Sequence, residues 1–109
     1  MAPAPGEEPR IEVVDDRAAE RFVIRVDGET AGFAQYRDRG RALAFVHTEI
    51  DDRHEGRGLG GRLVSAALDD VRSRGLAVLP FCPFVRGYIE RHPDYLDLVP
   101  KTQRAQFGL

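Results

Sequence analysis

One segment of the chain, residues 47–61 (HTEIDDRHEGRGLGG), constrains the fold more than any other. An apolar strand here leads through a short charged loop into a glycine cluster that begins a helix, with Arg53, Arg57 and Arg62 close by. The first N–H groups of a helix have no intrahelical partner and carry about half a positive charge, so a phosphate can bind largely through the backbone. Glycines let the backbone approach such a ligand, and they occur here as Gly56, Gly58, Gly60 and Gly61. The segment is either a phosphate-binding turn or a plain connection between a strand and a helix.

Two common phosphate motifs do not account for this turn. The chain contains no G-x-x-x-x-G-K-[ST] sequence, which excludes the loop of nucleoside triphosphatases. Gly56, Gly58 and Gly61 match the G-x-G-x-x-G spacing of dinucleotide-binding folds, but that motif requires an acidic residue near the end of the next strand. The next predicted strand lies within residues 76–82 (LAVLPFC), which contain no acidic residue. A chain of 109 residues is also too short for the two βαβαβ halves of such a fold. NAD is therefore a poor candidate ligand.

The turn instead resembles motif A of the GNAT acetyltransferases, [RQ]-x-x-G-x-[GA], in which a helix N-terminus holds the pyrophosphate of acetyl-CoA. Residues 55–60 (EGRGLG) fit this pattern except at Glu55, where Arg or Gln is usual. Residues 80–95 (PFCPFVRGYIERHPDY) resemble the small, single-domain GNAT subfamily, and the resemblance covers about residues 10–99. It implies a minimal GNAT fold with an acetyl-CoA site formed by Ile50, Glu55, Gly56, Arg57, Gly58, Leu59, Gly60 and Gly61.

Composition sets the domain boundaries and the class of protein. A chain of 109 residues with 42% apolar residues forms one domain with a modest core. We expect this domain at residues 10–100, a disordered tail at residues 1–9 and a short tail at residues 101–109. The net charge of −2 gives no signal for nucleic acid or an anionic membrane, and no segment reads as a membrane span or signal peptide. The single cysteine favours a reducing compartment, so we expect a cytoplasmic protein.

The spacing of apolar residues predicts an α/β fold, with antiparallel strands first and then a parallel β-α-β unit that contains the glycine turn. The predicted strands are residues 11–14, 21–26, 31–36, 41–50 and 76–79, and the predicted helices are residues 59–74 and 83–92. The first helix has an apolar stripe of period 3.6 and ends at Gly75, while Pro83 suits the first turn of the second.

Acyl transfer to an amine needs a base for the protonated amine and benefits from an acid for the departing CoA thiolate. Alternation along strand 41–50 predicts Leu43, Phe45, His47 and Glu49 on one face, with His47 and Glu49 as neighbours. The resemblance to GNAT enzymes implies that Glu49 is the base. A strand-end glutamate that faces solvent, or a structural His–Glu pair, explains the same residues.

Two further residues compete for the role of acid or nucleophile. The resemblance implies that Tyr88 protonates the thiolate, although Tyr88 also belongs to an apolar helix stripe. Cys82 precedes a predicted helix, where the dipole favours a thiolate and thus an acetyl-cysteine intermediate, but a lone cysteine is also a common core residue. The three histidines and one cysteine show no spacing typical of zinc, so no metal is expected.

We therefore expect an acetyl-CoA-dependent N-acetyltransferase that moves an acetyl group directly to a primary amine on a small molecule or a protein. The alternative is a CoA- or acyl-CoA-binding sensor or interaction module with little turnover. Glu55 and the short acceptor side of the predicted fold allow this alternative. The sequence predicts neither the acceptor nor the oligomeric state.

Overall fold

Five strands form one sheet in chain order, β1-β2-β3-β4-β5. In the computed structural model, which describes residues 8–109, these are β1 (Ile11–Asp16), β2 (Arg21–Val26), β3 (Glu29–Asp38), β4 (Ala42–Ile50) and β5 (Ala77–Pro80), with helices α1 (Leu59–Ser73) and α2 (Pro83–Arg91). Neighbouring strands are antiparallel except β4 and β5, which are parallel and are connected by α1. The predicted α/β class and order of elements are confirmed, with ends that differ by one or two residues.

Both helices contribute to a single core against one face of the sheet, which we call the helix face. The apolar stripe predicted for α1 is buried there, and the strands supply mainly aromatic and branched side chains. The core includes Phe22, Ile24, Tyr36, Leu43, Phe45, Leu63, Val64, Leu68, Val71, Val85 and Ile89. Because α1 crosses the sheet above this core, its first turn lies at the end of β4.

A β-bulge in β4 interrupts the alternation of its side chains. Tyr36 of β3 pairs with Phe45, but the preceding residue, Gln35, pairs with His47. Val46 is therefore an extra residue without a partner on β3. Tyr36 and Phe45 are buried on the helix face, with their ring centroids 6.1 Å apart. Gln35 belongs to the opposite face, and beyond the bulge the alternation of β4 is shifted by one position.

This shift corrects one prediction from the sequence. Leu43 and Phe45 face the helices as expected, but His47 and Glu49 lie on the opposite face of the sheet. The two remain neighbours. Thr48 takes the place on the helix face, where it pairs with a fully buried alanine of β3. Period-2 alternation fails here because a bulge inserts one residue into one strand only.

The C-terminal residues pack onto the domain. The 3-10 segment Pro93–Leu98 is fixed to α1 by the guanidinium of Arg72, which donates to both carboxylate oxygens of Asp97 at 2.7 and 3.0 Å. Two more 3-10 turns follow, and Phe107 in the second is 5% exposed and joins the core. Residues 101–109, which we expected to form a tail, thus contribute a core side chain.

Two expectations concern the ends of the chain and the membrane. Residues 1–7 of the predicted N-terminal tail lie outside the described residues. Within residues 8–109, no helix is long and apolar enough to cross a bilayer.

Candidate active site

The glycine turn forms the N-terminus of α1. Gly58 is the N-cap and adopts a left-handed conformation (φ 72°), which residues with a side chain rarely adopt, and no side chain caps the first turn of the helix. The turn opens into a cavity of about 250 Å³. All the predicted cofactor residues except Arg57 line this cavity, namely Ile50, Glu55, Gly56, Gly58, Leu59, Gly60 and Gly61. An uncapped helix N-terminus at a cavity is an anion site through its free N–H groups and its dipole.

The arginines near the turn do not contribute equally to its charge. Arg53 pairs with Glu29 and Asp51, and its backbone N–H donates to Asp51 at 3.0 Å. Backbone and side-chain hydrogen bonds from Arg53 hold the pKa of Asp51 below its usual range. Arg57 is exposed, with Nη1 3.4 Å from Nδ1 of His54. Because two carboxylates neutralise Arg53, the positive charge near the turn comes from Arg57 and from Arg62, which is exposed and lines the adjoining groove with Gly58 and Gly61.

Phe84 of α2 lies against the first turn of α1. A Cβ atom at Gly60 would lie 2.6 Å from the Phe84 ring, so the glycine permits this contact between the helices. The ring is 42% exposed and lines both the turn cavity and a larger groove of about 790 Å³. The sequence analysis gave no sign that Phe84 lies at the turn.

Strands β4 and β5 separate beside this turn. Their pairing ends at Phe45 and Pro80, and the backbone N–H of Cys82 donates to the carbonyl of Phe45 at 2.8 Å. Beyond this bond β4 continues to Ile50, which lines the turn cavity. We call the gap between residues 46–50 and Cys82 the fork. The fork leads from the glycine turn to the bulge of β4.

Cys82 and Thr48 form a polar pair on the helix side of the fork. Cys82 is the N-cap of α2 and is 3% exposed, with its Sγ 3.4 Å from Oγ1 of Thr48. Thr48 is a site residue that the sequence analysis missed, since only the bulge turns it toward the fork. The burial of the thiol and its hydroxyl neighbour are also typical of a core cysteine.

His47 and Glu49 flank the fork on the opposite face of the sheet. Nε2 of His47 lies 4.0 Å from Oε1 of Glu49, and the two side chains are 61% and 63% exposed. Glu49 lines a separate cavity of about 390 Å³ at the ends of β3 and β4, which shares Ile50 with the turn cavity. An amine approaching on this face can reach the carboxylate of Glu49 without entering the core.

Tyr88 lies in the larger groove, which runs along α1 and α2. Its ring stacks on His92, with centroids 4.0 Å apart and planes inclined by 17°, and the ring of Tyr95 is 6.0 Å away. Tyr88 follows Cys82 by six residues, which is about 9 Å along the axis of α2. The structure therefore brings Tyr88 near α1, whereas Thr48 and Cys82 lie together at the fork.

Residues 21–98 match the sequence profile of a family described as GCN5-related N-acetyl-transferase. The chain belongs to this GNAT family. Protein NATD1 from Gallus gallus is 31% identical over 91 residues, covering 80% of this chain and 83% of the relative. Protein NATD1 from Homo sapiens is also 31% identical over 91 residues, covering 80% of each chain.

Two solved structures share the fold. A GCN5-like putative N-acetyltransferase from Staphylococcus aureus, determined by NMR, superposes with a TM-score of 0.62 at 22% identity, over 82% of this chain and 87% of that one. A ribosomal-protein-alanine N-acetyltransferase from Brucella melitensis biovar Abortus 2308 gives a TM-score of 0.51 at 25% identity, over 78% of this chain and 64% of that one. The GNAT fold suggested by the two sequence motifs is confirmed.

No group of three or more His, Cys, Asp or Glu side chains among residues 8–109 is arranged to hold a metal ion. The candidate functional groups of this GNAT domain include potential acids, bases and hydrogen-bond partners. They lie at the glycine turn, on both sides of the fork, and in the groove that contains Tyr88.

Proposed function

We propose that this GNAT protein transfers the acetyl group of acetyl-CoA directly to a primary amine. The observation that carries the proposal is the uncapped, glycine-lined N-terminus of α1 beside the fork. A pyrophosphate suits the turn, and a narrow, extended arm such as pantetheine suits the gap where β4 no longer pairs with β5. Membership of the GNAT family supports the same assignment.

The turn has the donors and the space that a pyrophosphate needs. Gly56 and Gly58 both have positive φ, and a Cβ at either position would meet no protein atom within 4 Å. The first-turn N–H groups of α1 and the guanidinium of Arg57 supply the positive potential. Glu55 is exposed, so its carboxylate can stay in water, and Glu55→Arg should preserve or strengthen binding.

The chemistry requires one proton to leave the amine and one to reach the CoA sulfur. Glu49 is the proposed base, because it is accessible on the face from which an amine can reach the fork. Direct transfer needs no acetyl-enzyme, so Cys82 is proposed to line the fork with Thr48 and not to act as an obligatory nucleophile. The family resemblance implies that Tyr88 is the acid, and this role remains a prediction.

A second candidate function is a CoA- or acyl-CoA-binding module with little turnover. One observation favours it. Glu49 and Tyr88 line different cavities, and Tyr88 is about 9 Å along α2 from the cysteine at the fork. If these residues do not converge on one thioester, the domain binds its ligand without an assembled acid and base.

Isothermal titration with acetyl-CoA, CoA and NAD tests the ligand before any acceptor is known. The proposal expects acetyl-CoA and CoA to bind and NAD not to bind, and binding of NAD alone would overturn it. Release of CoA thiol in the presence of primary amines then tests turnover, with a low background because the chain has one cysteine. Tight binding without amine-dependent thiol release would favour the binding module.

A further inference from the structure

The large apolar side chains that are most exposed among residues 8–109 lie at the glycine turn and at the fork. They are Val46 (39% exposed), Phe81 (47%) and Phe84 (42%). Phe84 lies at the glycine turn, while Val46 is the bulge residue of β4 and Phe81 precedes the cysteine of the fork. Exposed apolar groups that cluster at one place typically mark a binding site.

The register of the parallel strands places Val46 and Phe81 together. Phe45 and Pro80 form the last pair of the two strands, and Val46 and Phe81 are the residues that directly follow this pair. The bond from the Cys82 N–H to the Phe45 carbonyl holds the chains at this point. Phe45 and Pro80 are buried, whereas the side chains of Val46 and Phe81 are exposed and so point away from the core.

The C-terminal segment holds Phe81 in position through a contact between two aromatic rings. The ring of Phe107 meets the ring of Phe81 edge to face, with centroids 5.0 Å apart and planes inclined by 80°. Phe107 is itself 5% exposed and belongs to the core. Phe81 is thus an anchored ring with one free side, which is the arrangement of a contact surface for an apolar group.

Charges on the sheet face of Glu49 favour an acceptor that carries an ammonium group. Glu49 has a weak partner in His47 at 4.0 Å, and the ring of Phe33 lies 6.0 Å from that imidazole. The guanidinium of Arg21 sits over the Phe33 ring at 4.9 Å from its centroid. Asp51 and Asp52 line the same cavity as Glu49, and Asp51 is paired with Arg53. These acidic groups suit an ammonium group, and discrimination among amines is left to the exposed apolar side chains.

We propose that the acceptor is a small primary amine carried on an aromatic or aliphatic group, which packs on Val46 and Phe81 while its nitrogen lies toward Glu49. This inference rests on the proposed acetyl transfer. The deprotonated amine nitrogen forms the bond to the thioester carbonyl carbon and the carbon–sulfur bond breaks. One ammonium proton passes to Glu49, and the second leaves the nitrogen as the amide forms, which balances protonation of the CoA thiolate.

The test compares amines of similar size in the acetyl-CoA thiol-release assay. Phenethylamine and hexylamine represent apolar monoamines, and ethanolamine, cadaverine and spermidine represent polar amines and polyamines. We expect kcat/KM to be at least tenfold higher for the apolar monoamines, as the burial of several methylene groups implies. Equal or higher values for cadaverine or spermidine would overturn the inference and leave the proposed transferase function intact.

Matched variants locate the apolar contact. Phe81→Ala should remove most of the preference for phenethylamine over ethanolamine, whereas Phe84→Ala, an equally exposed phenylalanine at the turn, should leave that ratio unchanged. Val46→Thr keeps the shape of the side chain and should reduce the preference even if Phe81→Ala loosens the C-terminal segment. A preference that survives both Phe81→Ala and Val46→Thr places the acceptor elsewhere.

A binding measurement separates this inference from turnover. Phenethylamine added to the protein saturated with CoA should shift the NMR signals of the Val46 methyl groups and the Phe81 ring. Such shifts without acetylation of any amine would support the acceptor surface and overturn the transferase function. If phenethylamine neither shifts these signals nor is acetylated, the inference is wrong.

Discussion

Two glycines at opposite ends of α1 allow a controlled test of the cofactor turn. Gly58 (φ 72°) and Gly75 (φ 69°) have nearly the same backbone conformation, and a Cβ at either would meet nothing within 4 Å. Alanine in this region costs about 1–2 kcal/mol, partly offset by a less flexible unfolded chain. We therefore expect each alanine variant to lose about 1 kcal/mol of stability and to melt roughly 4–8 °C lower.

The two variants should differ in ligand binding. Gly58 lines the cavity at the turn, so we expect the methyl group of Gly58→Ala to obstruct charge-assisted hydrogen bonds from the helix N-terminus, which are worth about 1.5–3 kcal/mol each. The Kd of acetyl-CoA, measured by isothermal titration, should rise about 10- to 100-fold for Gly58→Ala and stay near the starting value for Gly75→Ala. Equal affinities in the two variants, at equal melting temperatures, would refute the assignment of the turn as the pyrophosphate site.

Three other predictions concern single side chains. Glu49→Gln should lower kcat by about 10²–10⁴ without changing the Kd of acetyl-CoA. A loss of the same size in Tyr88→Phe would support Tyr88 as the acid. An unchanged rate in Tyr88→Phe would assign the ring to packing on His92. Cys82→Ala should keep most activity, and intact mass spectrometry of the wild-type protein with acetyl-CoA alone should show no acetyl adduct. Phe107→Ala should reduce the free energy of unfolding by about 3 kcal/mol, measured by urea denaturation, and no loss would show that the C-terminal segment is dispensable.

Much of the fold could be predicted because its signals are local. The stripe of α1 has helical periodicity, and its ends coincide with Gly58 and Gly75, which adopt the left-handed conformations that glycine favours. Pro83 begins α2 and Pro93 follows its end. The glycine turn could be predicted for the same reason, since backbone donors depend on helix position and glycine content and little on distant contacts.

The parts that could not be predicted depend on pairing between distant residues. A bulge at Val46 is recognisable only from the partner strand, where Gln35 and Tyr36 fix the register on either side. The place of Phe107 in the core depends on Phe81, and the side of α2 that Tyr88 faces depends on how the two helices pack. No short window of sequence contains these contacts. The prediction from alternation therefore placed His47 and Glu49 on the wrong face of the sheet.

The bulge determines on which face of the sheet the proposed base, Glu49, lies. With unbroken alternation, Glu49 would face α1 and α2, where the core leaves no path for an amine and where an unpaired carboxylate would be costly to bury. The extra residue Val46 instead turns Glu49 to the accessible face and leaves Thr48 beside the buried Cys82. Under the proposed function, donor and acceptor approach from different sides of the sheet and react at the fork, where β4 has no neighbour.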